Sequence, residues 1–555
     1  MNFLQSEIND KLITQFASEL QISRLIAFLL GKRGIISLSE ARNFLNPTLT
    51  ALHNPFLLND MEIAVKRIQS ALENGEKIIV YGDEDVDGIS STVILMKTLQ
   101  DLGGDIDYII PNKNRDGIGL REKFIQRSYD EGVNLIITVD CGTTNITQTV
   151  FAKELGIDVI ICDHHETLAE LPPALAVINP KRHDSTYPFS KLSGAGVAYK
   201  LSQAIAMKLL NLSSEQWYGV EKDLFGLAML GTIGDRVPLI NENRIFAKYG
   251  FEYLQNSSAP WIQSILQSHP SEAKKINMST ILTHFIPLLS AGESVKGKNI
   301  SCELLLNSNT DKTRQWASEL YAASQDWFQR ARHTYGKIRS SLTVQKNLNV
   351  LLMVEREADI DVLSYCASKL KDLVKCPVIM LGFKDDCIIG EARAPKGYDL
   401  IQHLKLCEEL FIDYGGHKCA AGFSIDPHNL AATIEKLKDV AARLPQDYRN
   451  KRNTNAEVEI EFEELNPDIF YDITQLAPFG EGNPAPLFLL KDAEIKKYYD
   501  GYRISQCSKS FWATKRVRHQ LNFPIGVATK GDIEFFIEDT GRGYISRFQI
   551  PNSNL

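Results

Sequence analysis

Three aspartates at alternate positions, Asp83, Asp85 and Asp87, stand in the segment GDEDVDG (82–88), directly after the apolar run Lys77–Tyr81. Alternation in an extended segment would project the three carboxylates the same way. Like charges this close repel unless something cationic sits among them, and a divalent ion is the economical choice. An EF-hand loop begun at Asp83 would have Gly88 at its sixth position, but it needs a glutamate at the twelfth and a helix in front. The twelfth residue is Ile94, and the preceding run is strand-like. The pattern recurs: Asp140 follows Leu135–Val139, Asp163-His164-His165 follows Val159–Cys162, and Asp235 closes GTIGD (231–235). Each acid alone reads equally well as a helix N-cap. Four such places on one sheet edge read as an oxygen-rich site with one or two imidazoles, which suits Mn2+ or Mg2+ better than zinc. Two ions ~3.5–4 Å apart would bridge a scissile phosphate and activate a water. No Ser/His/Asp elbow, P-loop or GxGxxG competes for the chemistry.

The elements that must position these groups alternate. Strand-like runs at Lys77–Tyr81, Ile106–Ile110, Leu135–Val139 and Val159–Cys162 are separated by helical stretches, which predicts a parallel sheet covered on both faces. Ligands bind outside the carboxyl ends of such strands. Apolar residues Trp316, Leu320, Ala323, Trp327, Ala331, Tyr335 and Ile338 recur every three or four positions. They predict one long amphipathic helix over 311–339. A second α/β unit follows from Asn349 to Leu444, then a polar linker at 445–456, then short β-type runs that read as a small β barrel. The expected division is a helical lead-in over 1–75, a catalytic domain over 76–308, a connecting helix over 309–342, a second α/β domain over 343–445 and a barrel over 455–555.

Composition bounds the function classes. At ~100–200 residues per domain, 555 residues are three to five domains. With 44% apolar and 23% charged residues the chain is globular. No apolar run approaches the ~18–20 residues that span a bilayer, and MNFLQSEINDKL is no secretory signal. Nine cysteines without a CxxC pair fit a reducing cytoplasm. A net charge of −8 confines any polyanion site to a local patch.

GDEDVDG, VDCG, DHH and GTIGD, in this order and spacing, resemble the four motifs of the DHH phosphoesterase superfamily, and within it the RecJ family of single-strand-specific 5′→3′ DNA exonucleases. The resemblance covers nearly the whole chain: GKRGI (31–35), FLNP (44–47), PNKNRDGIGL (111–120), LSGAGVAYKL (192–201), YGGHKCAAGF (414–423) and LAPFGEGNPAPLF (476–488) also match. It implies a DHH catalytic domain, a DHH-associated domain and a C-terminal OB barrel. It also implies two Mn2+ or Mg2+ ions on Asp83, Asp85, Asp87, Asp140, His164 and Asp235, with one of the first three acting indirectly. Asp163 would orient a neighbour and His165 would contact the scissile phosphate. The implied setting is DNA repair and recombination in the bacterial cytoplasm, by a monomer beside a single-strand-binding protein and a helicase, without membrane contact. The chain departs from the family pattern in places. Glu84 stands where an aromatic is usual and, in an extended strand, would point away with little consequence. Leu288, Ser290 and Glu293 replace a segment rich in Arg and Asn. GEARA (390–394) keeps Arg393 but lacks the usual serines.

Candidate DNA contacts follow. Gly415 and Gly416 let backbone N–H groups approach a phosphate, with His417 beside them and Arg393 able to fork onto the same group. Lys113 and Arg115 lie in a loop after a strand. Residues 491–518 hold eight basic and three acidic residues interleaved with aromatics, the combination an OB barrel uses to hold single strands. Lys496, Lys497, Trp512, Lys515 and Arg516 are its candidates, against the plainer reading of core aromatics and a solvated rim. Two other functions fit less well. A phosphodiesterase for very short oligonucleotides would lack the barrel, and a non-catalytic replication scaffold would have lost ligands that are all present here.

Overall fold

The computed structural model describes residues 2–4, 8–268, 276–342, 348–384, 386–443, 456–465, 467–498, 501–506, 509–514, 528–537 and 543–549. The chain forms two compact units, Met1–Tyr321 with Asn455–Leu555, and Ala322–Thr454.

Five parallel strands centre the first unit, in the spatial order Ile106–Ile109, Ile78–Tyr81, Leu135–Val139, Asp158–Cys162, Ala176–Ile178. Ile78–Tyr81 and Leu135–Val139 are buried at every position, so they read as apolar runs and not as alternations. The last strand, Ala176–Ile178, is too short to stand out in the sequence. Tyr81 pairs with Thr138, so the segments after these two strands leave the sheet at one edge. They flank the point where the strand order reverses, where open α/β sheets place their ligands.

The lead-in splits between two cores. Leu49 to Ala71 pack into the large core with the sheet and its helices. Residues Ile13 to Phe44 instead share a core with Val458, Phe488, Ile504 and Phe535 of the C-terminal region. Asn2–Phe3 adds a strand beside Val458–Glu459, and Phe3 stacks on Phe28 at 4.2 Å between ring centroids. The barrel is a closed ring of Leu487–Lys497, Gly501–Gln506, Lys509–Thr514, Gly543–Gln549 and Ala528–Ile537, the last pairing back to the first.

The long helix is Thr310–Ser341, about 48 Å at 1.5 Å per residue. Ala317 and Leu320 enter the core of the first unit, and Ala331 and Ile338 that of the second. Ala323, expected on the apolar stripe, is exposed at the change of cores, and Ser324 is buried in its place. The second unit carries a five-stranded mixed sheet in the order Asp413–His417, Ala420–Ile425, Cys387–Arg393, Val378–Lys384, Leu351–Glu355. The expected linker at 445–456 lies almost wholly outside the described residues. No described helix is long and apolar enough to cross a membrane.

Candidate metal centre

The aspartate segment is not extended. Asp85 is the N-cap of the Val86–Asp101 helix, and its Oδ1 accepts from the Asp87 and Gly88 amides at 2.9 and 3.0 Å. Asp83 therefore sits on the loop, Asp85 on the cap and Asp87 in the first helical turn, so that Asp83 and Asp85 share one group while Asp87 turns to another. Gly88 is required here, because a Cβ would lie 2.4 Å from the Asp83 carbonyl oxygen. Asp235 also departs from expectation: it caps the C-terminus of the Lys222–Gly234 helix and follows no strand.

Tertiary packing brings the acids together. Asp87, His164 and Asp235 form one group able to hold a cation, Asp83, Asp85 and Asp140 a second, and Asp140, His164 and His165 a third, with ligand atoms in each within 4.8 Å of one another. Asp140 and His164 each belong to two of these groups. His164 Nε2 lies 3.1 Å from Asp140 Oδ1, 3.7 Å from Asp235 Oδ2 and 3.8 Å from Asp87 Oδ2. Its Nδ1 lies 3.0 Å from the Leu192 carbonyl oxygen. A carbonyl only accepts, so Nδ1 carries the hydrogen and Nε2 turns its lone pair to the carboxylates. Burial, then the neighbouring His165 charge, pushes the His164 pKa down to about 3, so the ring is neutral and free to ligate.

The carboxylates sit at high electrostatic cost. Burial, then Asp85, raises Asp83 to about 6, and the same causes raise Asp235 to about 6. Asp87 and Asp140 are pushed well up, by burial and then by neighbouring aspartates. Asp87 nevertheless accepts from the Gly194 and Ala195 amides at 2.7 and 2.8 Å. These belong to the N-terminus of the Gly194–Leu209 helix, whose dipole favours an anion. Asp140 Oδ1 is buried without a hydrogen-bond partner, facing a ring nitrogen that offers only a lone pair. A proton or a metal cation must lie between them.

Asp163 lies apart from these groups. It accepts from the amides of Thr143, His164 and His165 and from His165 Nδ1 at 2.8 Å. Burial opposes its ionisation, but His165 and these donors hold it far below the usual carboxylate range. Burial likewise opposes charge on His165, and Asp163 overrides it, raising the ring to about 9. His165 is thus a cation at neutral pH with Nε2 uncommitted.

Several positioning groups carried no sequence signal. Asn179 donates to the His165 carbonyl oxygen and to Thr143 Oγ1 at 2.9 and 3.0 Å. A Cβ at Gly194 would lie 2.5 Å from Asp140 Oδ1, and one at Gly231 would lie 2.3 Å from Asp87 Oδ1.

The nucleic-acid candidates divide. Lys113 and Arg115 lie on the short Lys113–Asp116 helix, with Arg115 donating to the Ser294 carbonyl at 3.1 Å. Glu84 does not point away: its carboxylate accepts from the Lys113 and Ser294 amides and from Asn112 Nδ2. Leu288 is a core residue. In the second unit, Ala420 pairs with Arg393 on one side and His417 on the other, so these two share a register beside Gly415 and Gly416. Arg393 is tied to Glu391 at 3.0 Å. Gly416 has φ +132°, and a Cβ there would lie 2.5 Å from the Ala420 carbonyl oxygen. In the barrel, Lys496, Arg503 and Trp512 are paired across three strands, while Tyr502, one of the aromatics within 491–518, fills the core. Lys515 and Arg516 lie outside the described residues.

Family models match three parts of the chain: the DHH family N-terminal domain over 77–232, the DHHA1 domain over 347–443 and the RecJ OB domain over 456–504. The chain is 31% identical over 504 residues to the single-stranded-DNA-specific exonuclease RecJ of Bacillus subtilis, covering 89% of this chain and 62% of that protein. It thus spans less than two thirds of that relative's length. A crystal structure of RecJ from Thermus thermophilus in complex with Mn2+ matches with a TM-score of 0.79 at 24% identity, over 100% of this chain and 78% of that one. A structure of exonuclease RecJ bound to manganese matches with a TM-score of 0.59 at 26% identity, over 71% and 97%. With its motif acids converging beside one sheet edge, the chain carries a DHH family N-terminal domain, a DHHA1 domain and a RecJ OB domain in this order, and is similar over most of its length to the RecJ exonucleases.

Proposed function

We propose that the protein is a divalent-metal-dependent exonuclease that degrades single-stranded DNA in the 5′→3′ direction, in repair and recombination. The observation that carries the reading is the buried Asp140–His164 contact, two acceptors 3.1 Å apart amid further carboxylates. The donor set is oxygen-rich with neutral imidazole, which fits Mn2+ or Mg2+. Asp87, Asp140, His164 and Asp235 would hold one ion and Asp83, Asp85 and Asp140 a second. When bound, the pair supplies Lewis acidity to the phosphate and lowers the pKa of an attacking water.

The remaining residues position and neutralise. Asp163 locks His165 by its Nδ1, so that Nε2–H can donate to a phosphate oxygen and offset charge gained there in the transition state. Lys113 and Arg115 would take an adjoining phosphate. Arg393, Gly415, Gly416 and His417 of the second unit would contact backbone phosphates. Lys496, Lys497, Trp512, Lys515 and Arg516 would hold the strand by charge and stacking. The relatives' names support single-stranded DNA as substrate. Action as a cytoplasmic monomer beside a single-strand-binding protein and a helicase rests on the family resemblance alone.

Digestion of oligonucleotides labelled at either end, with Mn2+, tests the reading. Shortening of a single strand from its 5′ end, with blunt duplex resistant, is expected. Equal digestion of duplex, preference for dinucleotides, or no hydrolysis would each replace it.

A further inference from the structure

We propose that Glu84 is a positioning residue that latches the Lys113–Arg115 turn beside the metal centre and so sets affinity for the strand end. This rests on the nuclease reading above. The geometry joins three segments far apart in sequence. Glu84 Oε2 accepts from the Lys113 amide at 2.8 Å. Its Oε1 accepts from the Ser294 amide at 3.1 Å and from Asn112 Nδ2 at 3.3 Å. Its own amide donates to Asp83 Oδ1 at 2.8 Å. One residue therefore ties a candidate metal ligand, the turn that bears two cations, and the Ser294–Asn299 hairpin.

The turn is fastened to the same hairpin a second time, through Arg115 to the Ser294 carbonyl. Asn112 caps the turn by accepting from the Arg115 amide at 3.0 Å, and Asp116 closes it by accepting from the Asn112 amide at 2.8 Å and from Lys123. Glu84 is the acid that connects this closed turn back to the aspartate loop. Both of its oxygens are used as acceptors, so neither can be exchanged for a donor. Gln keeps the length but turns an NH2 group on one arm toward N–H donors, leaving that arm unmade. Ala removes both arms. Lys113 and Arg115 keep their charges in either variant but lose the fixed placement of their turn beside the aspartate loop.

The test uses the full chain and two readouts. Hydrogen exchange on metal-free protein needs no activity: Glu84→Gln and Glu84→Ala should both speed exchange at residues 112–116 and 294–295, with the sheet strands unchanged. Kinetics with Mn2+ and a 5′-phosphorylated single strand should show KM raised about tenfold and kcat within about twofold. Unchanged exchange in both variants overturns the latch, whatever the enzyme's activity. Unchanged KM overturns its role in affinity, and so does a fall in kcat at constant KM, which would assign Glu84 to the metal loop alone. If the wild-type chain cuts no DNA, the nuclease reading fails while exchange still decides whether the latch exists.

Discussion

The carboxylate centre of the first unit and the Arg393 strand end of the second both carry charge at the ends of β strands, yet they are built in opposite ways. The centre draws its groups from four segments between Asp83 and Asp235, with Asp87, Asp140 and His164 buried at its heart. Glycines at 194 and 231 admit Asp140 and Asp87 at distances no Cβ would allow. The strand end relies on register alone: His417, Ala420 and Arg393 align across three strands, the glycines beside them are exposed, and Glu391 already pairs with the guanidinium. Burial multiplies electrostatic energies and makes each missing partner costly. At a surface the same charges are screened and loosely additive. Substitutions should thus act all-or-none at the first place and by degrees at the second.

The largest effects should fall on the centre. Asp140→Ala and His164→Ala should each abolish Mn2+-dependent hydrolysis while leaving single-strand binding largely intact, as measured by fluorescence anisotropy. Mn2+ at one hundred times its Kd should stabilise the wild-type fold by about 2.7 kcal/mol, with no such shift in either variant. Nuclease activity surviving near the wild-type rate would dissolve the contrast between the two regions.

Gly231→Ala should come close behind. It removes no ligand, but its Cβ would lie 2.3 Å from Asp87 Oδ1 and drive that carboxylate from its place, so metal-induced stabilisation should fall along with activity. Normal metal response in this variant would show that the centre tolerates looser packing than its distances imply.

Acid should weaken metal binding. Asp83 and Asp235 are raised to about 6 without metal, so both take up protons as pH falls through that value, in competition with the ion. Mn2+ affinity by calorimetry should therefore drop from pH 7 to pH 5. The metal-free fold has the opposite sign. A carboxyl whose folded pKa is raised adds stability as pH falls from about 6 toward its unfolded value, so these two groups should make the apo protein more stable at pH 5 than at pH 7.

The strand end should respond in both directions. Arg393→Ala should weaken single-strand binding by about tenfold, the scale of one charge-assisted hydrogen bond. Glu391→Gln should tighten it by releasing the guanidinium. If both variants bind like wild type, Arg393 is a structural ion pair. The smallest effect should be Lys496→Ala in the barrel, lowering the salt slope of binding by about 0.7, the value for one phosphate on a single strand.

Much of this was legible in the sequence, for physical reasons that differ by element. Strands buried on both faces must be continuous apolar runs, so Ile78–Tyr81 and Leu135–Val139 announced themselves and fixed where Asp83 and Asp140 would emerge. The residue types, acid and neutral imidazole, determined the class of ion. Their directions were not legible. Asp83, Asp85 and Asp87 looked like three ligands on one extended face, but the apolar pattern of Val86–Asp101 could begin one residue after Asp85, and the cap turned Asp87 into the helix and into a different group from the other two. Asp235 reached the centre from a helix end because the Lys222–Gly234 helix packs against the Val86–Asp101 and Gly194–Leu209 helices, which no local pattern encodes. Glu84 was misjudged for the same cause: its partners at 112–113 and 294 are about 28 and 210 positions away. The N-terminal helices likewise read as a lead-in to the catalytic domain, although Phe3 to Phe44 complete the core around the barrel. Sequence alone determined which chemistry the chain could carry, because composition and short-range periodicity are local. The tertiary structure decided which groups share a site, because that depends on packing between segments whose separation along the chain leaves no periodic trace.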